Sequence, residues 1–162
     1  MEENIKEKSV SDSLTECMRI IKYEDINGLS RLFGGRLMQW MDEVAGIAAI
    51  RHCGKGVTTA AVDNLQFKKG AFIGDVLVFV ARLTHVGNTS MEVRVDVYVE
   101  EPKSGNRHVI NRAYFTEVCM SEEDKPIPVP YKLKITTPAE QAEEEGALKR
   151  IEMRKKRRNE GY

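Results

Sequence analysis

The feature that most constrains the fold is a long and largely apolar helix predicted over residues 34–52. Its polar side chains recur at helical spacing, at Arg36, Gln39 and Glu43. The other positions are mainly apolar or small, so the polar stripe is narrow. Such a helix needs cover on most of its sides. A sheet that wraps around it, or a second subunit, has to supply that cover.

After this helix the apolar spacing changes from a helical to an alternating pattern. The pattern predicts strands over residues 14–23, 57–67, 76–86, 91–100 and 108–120. Apolar and polar residues alternate most regularly in 91–100. The turn signal Gly87-Asn88 joins this segment to 76–86 and predicts a hairpin. Strands clustered after one helix indicate an α+β fold, with an antiparallel sheet packed on the helix.

The length of 162 residues favours one domain with two different ends. Residues 1–13 are polar and predict a flexible N-terminus, and residues 14–125 form the predicted domain. Residues 126–162 begin with a Pro-rich segment and continue as a charged helix, acidic first and basic last, which complements the helix dipole. The basic run 155–158 suggests either a nucleic-acid or membrane contact or a solvated, fraying helix end, and we favour the second.

Global composition excludes several classes of protein. The chain carries 25 basic and 25 acidic side chains, so charge indicates neither nucleic-acid binding nor a membrane surface. No apolar run approaches the roughly 18 residues that span a bilayer, and residues 1–13 hold no apolar stretch typical of a signal peptide. Three widely spaced cysteines argue against a disulfide framework and favour a cytoplasmic location. His52 and Cys53 lack a second pair, so no metal site is expected.

Asp42 is the first candidate for chemistry. It lies roughly 100° around the helix from Glu43 and therefore off the polar stripe, among small and apolar residues. A carboxylate in such surroundings costs free energy unless it is paired or protonated. The pattern fits a general base or nucleophile, and it fits equally an aspartate that hydrogen-bonds a neighbouring loop or subunit.

Gly34 and Gly35 stand at the predicted start of the helix. Without side chains there, a ligand can reach the free backbone N–H groups of the first turn, which suit a developing oxyanion. Alternatively, the two glycines only allow a tight entry from loop to helix.

The stretch from Asn27 to Gly46, NGLSRLFGGRLMQWMDEVAG, resembles the signature of hotdog-fold acyl-CoA thioesterases. The likeness is strongest to the bacterial YciA type and to cytosolic acyl-CoA hydrolases. It continues through VTTAAVDNLQF at residues 57–67 and VGNTSM at 86–91, and covers residues 14–120. Leu29-Ser30 stands where many members of the family have a second Asn-Gly pair.

The resemblance implies a hotdog fold, in which a long central helix is wrapped by an antiparallel sheet of about five strands. It implies a homodimer that assembles further into a trimer of dimers, a hexamer. The implied substrate is a fatty acyl-CoA, which is hydrolysed to the free acid and coenzyme A without another cofactor or a metal. We expect neither a nucleic-acid partner nor membrane insertion.

The resemblance also assigns roles to individual residues. Asp42 acts as general base on water or attacks the thioester carbon. Asn27 positions water or substrate, across a subunit interface. The backbone N–H of Gly35 polarises the thioester carbonyl, and Gly34 leaves room for the substrate. The coenzyme A phosphates are expected near the turn residues Asn88, Thr89 and Ser90, although polar residues in a turn need no function. Arg82 is a further candidate for a phosphate contact, and an arginine that simply faces solvent from its strand is the equal alternative.

A second reading of the same resemblance is a non-catalytic acyl-CoA-binding regulator, because a fold alone does not define a function. The presence of Asp42 favours the enzyme, since a sensor has no need of a carboxylate at the thioester. A hydratase on this fold would use a histidine ahead of the helix, and residues 1–51 contain none.

Overall fold

The structure is a computed structural model that describes residues 6–162. Its strands and helices, in chain order, are β1 Glu7–Ser9, α1 Val10–Ser13, β2 Thr15–Ile20, α2 Gly34–Cys53, β3 Gly56–Asp63, β4 Val76–Val86, β5 Ser90–Glu100, β6 Arg107–Met120, β7 Lys132–Lys134 and α3 Pro138–Glu160. No helix among these residues is both long and apolar enough to cross a membrane.

Five strands form one antiparallel sheet in the order β2-β4-β5-β6-β3. The predicted hairpin is confirmed, because β4 and β5 pair from Val86 opposite Met91 outward. Strand β3 ends at Asp63, four residues earlier than predicted, since Asn64 adopts a left-handed backbone conformation with φ of 60°. The α+β fold with one central helix and an antiparallel sheet is confirmed.

The core lies between α2 and one face of the sheet. Met41, Ala45 and Ala48 of the helix are fully buried there, against the inward-facing side chains of β4, β5 and β6. The predicted polar stripe faces outward, where Arg36 donates to Gln39 and Gln39 donates to Glu43. Apolar side chains also remain exposed on α2, with Met38, Ile47 and Ile50 each more than 40% accessible. A single chain therefore covers this helix incompletely.

The charged C-terminal helix α3 covers the other face of the sheet. Arg150 pairs with Glu92 of β5 at 2.7 Å, and Arg157 pairs with Asp63 of β3 at 2.8 Å. Glu92, a polar member of the alternating strand, is only 3% exposed as a result. The prediction of a solvated, fraying helix end is therefore wrong for Arg157, because buried carboxylates of the sheet hold the basic half of α3.

The N-terminal segment also differs from the flexible end that the sequence predicts. Residues 1–5 lie outside the described part of the chain. Beyond them, β1 pairs in parallel with β7, and Val10 is buried. Lys8 donates to the carbonyl oxygens of Arg51 and His52 at the C-terminal end of α2, where a cation is favourable. These contacts, distant in sequence, tie residues 7–13 to the domain.

Candidate active site

Asp42 lies on the side of α2 that faces strand β3. Its Oδ1 atom accepts a hydrogen bond of 2.5 Å from the hydroxyl of Thr59. The carboxylate is exposed in the single chain, so the burial that its sequence neighbours predict is not present within one subunit. The hydrogen bond orients the carboxylate while its other oxygen remains available to a ligand.

The hydroxyl of Thr59 contacts a second carboxylate as well. Its oxygen lies 3.1 Å from Oε1 and 3.3 Å from Oε2 of Glu117 on strand β6. Glu117 is 1% exposed and stands in the inward-facing row of β6, between Phe115 and Cys119. Burial raises the pKa of Glu117 to about 7; the Thr59 hydrogen bond lowers it and the nearby charge of Asp42 raises it further.

Sequence reasoning missed both Thr59 and Glu117. Thr59 falls in a strand rich in β-branched residues and resembles its neighbours. Glu117 had a usable signal, since it is an acidic residue in a row of β6 whose other members, Ala113, Phe115 and Cys119, are apolar. An acidic side chain in an inward-facing row of a strand is unusual, because burying an unpaired charge is costly.

Asp42 shares an open groove of about 260 Å³ with Gly35. The groove is lined by Gly35, Met38, Gln39, Asp42, Val62, Leu65 and Phe115. Gly35 and Asp42 are seven residues apart, so they lie on one face of α2, separated by about 10 Å along its axis. The aspartate side chain leans towards the N-terminus of the helix, which shortens that separation. A ligand in the groove therefore meets both the carboxylate and the start of the helix.

Gly34 and Gly35 are the first two residues of α2 and lie close to two aromatic rings. A Cβ atom at Gly35 would lie 2.5 Å from the ring of Phe33, and one at Gly34 would lie 3.4 Å from the ring of Phe67. The N–H groups of Arg36 and Leu37 donate to the carbonyl of Phe33. The N–H groups of Gly34 and Gly35 come earlier in the first turn, where the helix itself has no carbonyl to accept from them. They are donors that a ligand oxygen can use.

Asn27 orders the loop ahead of the helix. Its side-chain oxygen accepts hydrogen bonds from the N–H groups of Leu29 at 2.9 Å and Arg31 at 3.3 Å. The amide nitrogen of Asn27 takes no part in these two hydrogen bonds. No hydrogen bond joins Asn27 to Asp42 within residues 6–162.

The turn of Asn88, Thr89 and Ser90 lies at the end of the sheet beside Glu117. The carbonyl of Thr89 accepts from Cys119 N at 2.8 Å, and Met91, the next residue after the turn, pairs with Glu117. The backbone of the turn is thereby held on β6, while its side chains remain partly or fully accessible.

Arg82 does not join the other predicted site residues. Its guanidinium pairs with Asp96 of β5 at 3.1 Å and with Glu143 of α3 at 2.5 Å, on the face of the sheet opposite to α2. The predicted contact between Arg82 and a coenzyme A phosphate is therefore not supported, because these two carboxylates already use its donors.

A larger cavity of about 560 Å³ lies away from Asp42, where β6 continues beyond the end of β3. Its wall includes Lys68, Lys69, Asn111 and Tyr114. The amide of Asn111 is 95% buried and finds no hydrogen-bond partner among the described residues. No group of three histidine, cysteine, aspartate or glutamate side chains within residues 6–162 could hold a metal ion.

Comparison with known proteins agrees with this geometry. Residues 29–105 match the thioesterase superfamily. An acyl-CoA hydrolase from Staphylococcus aureus, solved as an asparagine variant with coenzyme A, is 33% identical with a TM-score of 0.90, covering 98% of this chain and 94% of that one. An apo hexameric acyl-CoA thioesterase is 37% identical with a TM-score of 0.88, covering 94% and 97%. The cytosolic acyl coenzyme A thioester hydrolase of Rattus norvegicus is 34% identical over 156 residues, which are 95% of this chain and 41% of that protein.

A helix wrapped by an antiparallel sheet, with a carboxylate facing a groove that begins at free backbone N–H groups, defines a hotdog-fold hydrolase. The chain belongs to the thioesterase superfamily, and within it to the acyl-CoA thioester hydrolases.

Proposed function

We propose that this enzyme hydrolyses fatty acyl-CoA in the groove beside α2, with Asp42 as general base or nucleophile. The observation that carries the proposal is the 2.5 Å hydrogen bond from Thr59, which orients the Asp42 carboxylate in the groove that also contains Gly35. The S. aureus hydrolase was solved as variants of an asparagine, an aspartate and a threonine. These are the residue types that Asn27, Asp42 and Thr59 present here.

Two routes are compatible with this geometry. As general base, Asp42 takes a proton from a water molecule whose oxygen attacks the thioester carbon. As nucleophile, Asp42 attacks that carbon itself and forms an anhydride, which water then cleaves. In both routes the C–S bond breaks and the coenzyme A thiolate takes up a proton. The N–H of Gly35 stabilises the negative charge that develops on the carbonyl oxygen, a contribution of about 10² to 10³ in rate for one such donor.

A second copy of the chain would complete the site. Strand β3 is an edge of the sheet, and residues 58–60 on it are exposed in the single chain. Unpaired edges favour pairing with another strand. Joining two sheets along β3 would cover exposed apolar positions of α2 and place Asn27 of one subunit near Asp42 of the other. The hexameric relative supports further assembly into a trimer of dimers.

The nucleotide end of the substrate would extend towards the turn of Asn88, Thr89 and Ser90, whose polar groups can contact phosphates. Coenzyme A enters as part of the substrate and leaves as product, and it is bound in the structure of the S. aureus hydrolase. The rat relative is a cytosolic protein, which supports a cytoplasmic location for this one.

The test is release of free thiol from a panel of acyl-CoA esters, from short to long chains. The wild type is compared with Asp42→Asn and with Glu43→Gln as a matched control, since Glu43 is the next residue of α2 and pairs with Arg19 at the surface. We expect Asp42→Asn to lose at least about 10³-fold in kcat and Glu43→Gln to retain the wild-type rate. Full turnover by a folded Asp42→Asn variant would contradict the proposal. Tight binding of an ester without turnover by the wild type would support a regulator.

A further inference from the structure

Glu117 differs from every other buried acid in residues 6–162. Asp25, Asp63, Glu92 and Asp96 each pair with at least one arginine. Glu117 has no such partner, and its hydrogen bonds run only to the hydroxyl of Thr59. A structural ion pair therefore does not explain why a carboxylate occupies an inward-facing position of β6.

Burial without a charged partner favours the protonated form of Glu117. Burial alone would raise the pKa of Asp96 too, but hydrogen bonds from Arg112 and Arg94 hold it below its ordinary value. Around Glu117, α2 contributes the acidic Asp42, β3 contributes Thr59 and β5 contributes the uncharged Met91. No cation among residues 6–162 offsets the burial of Glu117, so its neutral carboxyl is the stable form below about pH 7.

The shared hydroxyl of Thr59 has one proton to donate. Its oxygen is 2.5 Å from Asp42 and 3.1 Å from Glu117, so it can donate to only one of the two carboxyl groups at a time. A neutral Glu117 donates its own proton to the oxygen of Thr59. The hydroxyl proton of Thr59 then remains for Asp42. An ionised Glu117 competes with Asp42 for that same proton.

We propose that Glu117 is a positioning residue for hydrolysis, which directs the hydroxyl proton of Thr59 onto Asp42. The inference rests on the proposed function, since it assumes that Asp42 acts on the thioester. In the resulting chain, Glu117 donates to Thr59 and Thr59 donates to Asp42. One oxygen of Asp42 is held, and the other is left for the water or thioester in the groove that Asp42 lines.

The experiment measures kcat and KM between pH 5.5 and 9 for the wild type, Glu117→Gln and Glu117→Leu. The glutamine amide can donate to Thr59 at every pH, whereas leucine cannot donate at all. We expect the kcat of the wild type to fall as the pH rises through about 7. Glu117→Gln keeps the low-pH rate throughout and loses this inflection. Glu117→Leu loses about 10-fold or more in kcat at all pH values, with KM within about twofold, because Glu117 does not touch the substrate.

Two further variants test whether Glu117 acts through Thr59. In a Thr59→Val background, Glu117→Leu should cause no additional loss, since the relay is already broken. Additive losses would overturn the inference, as would unchanged kcat and pH profile in both Glu117 variants. Thermal unfolding and size-exclusion elution show whether each variant is folded. If Glu117→Leu does not fold, the pH profile of the nearly isosteric Glu117→Gln tests the inference on its own.

The outcomes separate this inference from the proposed function. If Asp42→Asn is inactive while both Glu117 variants behave as the wild type, the proposed function stands and the role of Glu117 is wrong. If Asp42→Asn remains fully active, the proposed function is wrong and the inference falls with it.

Discussion

The hydroxyl of Thr59 bridges strand β3 to helix α2 through a hydrogen bond of 2.5 Å to Asp42. The two residues are seventeen positions apart and belong to different elements, joined by the end of α2 and the turn that follows it. A hydrogen bond to an ionised group is short and strong. It fixes the rotamer of the carboxylate on which the proposed chemistry depends.

Thr59→Val removes this hydrogen bond while it keeps the shape of the side chain. We expect kcat to fall roughly 10- to 100-fold, since a hydrogen bond to a charged group contributes about 1.5 to 3 kcal/mol. Steady-state thiol release measures the effect. Thr58→Val is the matched control, because successive side chains of a strand point to opposite faces and Thr58 is exposed. Equal losses in both variants would contradict a specific role for Thr59.

The stability of the protein should depend on pH through Glu117. Burial raises its pKa from 4.5 to about 7, so between these values the folded state binds more protons than the unfolded state. The free energy of unfolding therefore falls as the pH rises through this window, by about 3 kcal/mol in total.

Glu117→Gln removes the titrating carboxyl group and so isolates its contribution to the pH dependence of stability. Its free energy of unfolding, measured in urea at pH 5, 6, 7 and 8, should gain on the wild type as the pH rises. All other titrating groups are common to the two proteins and cancel in the difference. A constant difference from pH 5 to 8 would show that Glu117 is ionised throughout this range.

Gly35→Ala should affect activity more than stability. The new Cβ would lie 2.5 Å from the ring of Phe33, which is 57% exposed and can turn aside. We expect the protein to fold but to lose about 10-fold or more in kcat/KM, because the displaced ring and the methyl group crowd the donor N–H.

Gly46→Ala, on the same helix with no atom within 4 Å of the new Cβ, is the control. It should gain about 0.5 to 1 kcal/mol in stability and keep the wild-type rate, since alanine favours a helix over glycine. Thiol release and urea unfolding are measured for both variants. Equal activity of the two variants would contradict a role in activity for the accessible N–H group of Gly35.

Arg150→Ala should destabilise the protein by about 3 to 5 kcal/mol, because it leaves Glu92 buried without its partner. The guanidinium also stacks over the ring of Tyr114 at 3.5 Å, and that packing is lost as well. Lys155→Ala, on an exposed part of α3, should change stability by less than about 0.5 kcal/mol. Similar unfolding curves for the two variants would show that α3 is not held by this pair.

Local patterns predicted the elements of this fold well. The helix begins at Gly34 as predicted, and β4 has the predicted bounds of residues 76–86. Periodicity is a property of consecutive residues, so it survives without knowledge of the tertiary structure. The end of β3 was missed, because the left-handed conformation of Asn64 is a property of one residue and leaves no mark on the period.

The site divides in the same way. Asp42 and Gly35 could be singled out because both lie on one helix, where spacing alone decides which residues share a face. The predicted phosphate contact of Arg82 finds no support in this chain, where Arg82 pairs with Asp96 and Glu143. A basic residue on a strand does not reveal from the sequence alone whether it faces solvent or a helix about sixty residues later. The apolar row of β6 marks Glu117 in the sequence, but its partner is set only by the strand register, which places Thr59 opposite it.

The sequence by itself determined the apolar helix, the alternating strands and a carboxylate placed off the polar stripe, because each depends on residues close together in the chain. Only the tertiary structure decided that α3 pairs with the buried Glu92 and Asp63, that residues 7–13 pack on the domain, and that Thr59 lies between two carboxyl groups. These outcomes depend on long-range packing, where burial changes the free energy of a charge and so selects which partners it must have.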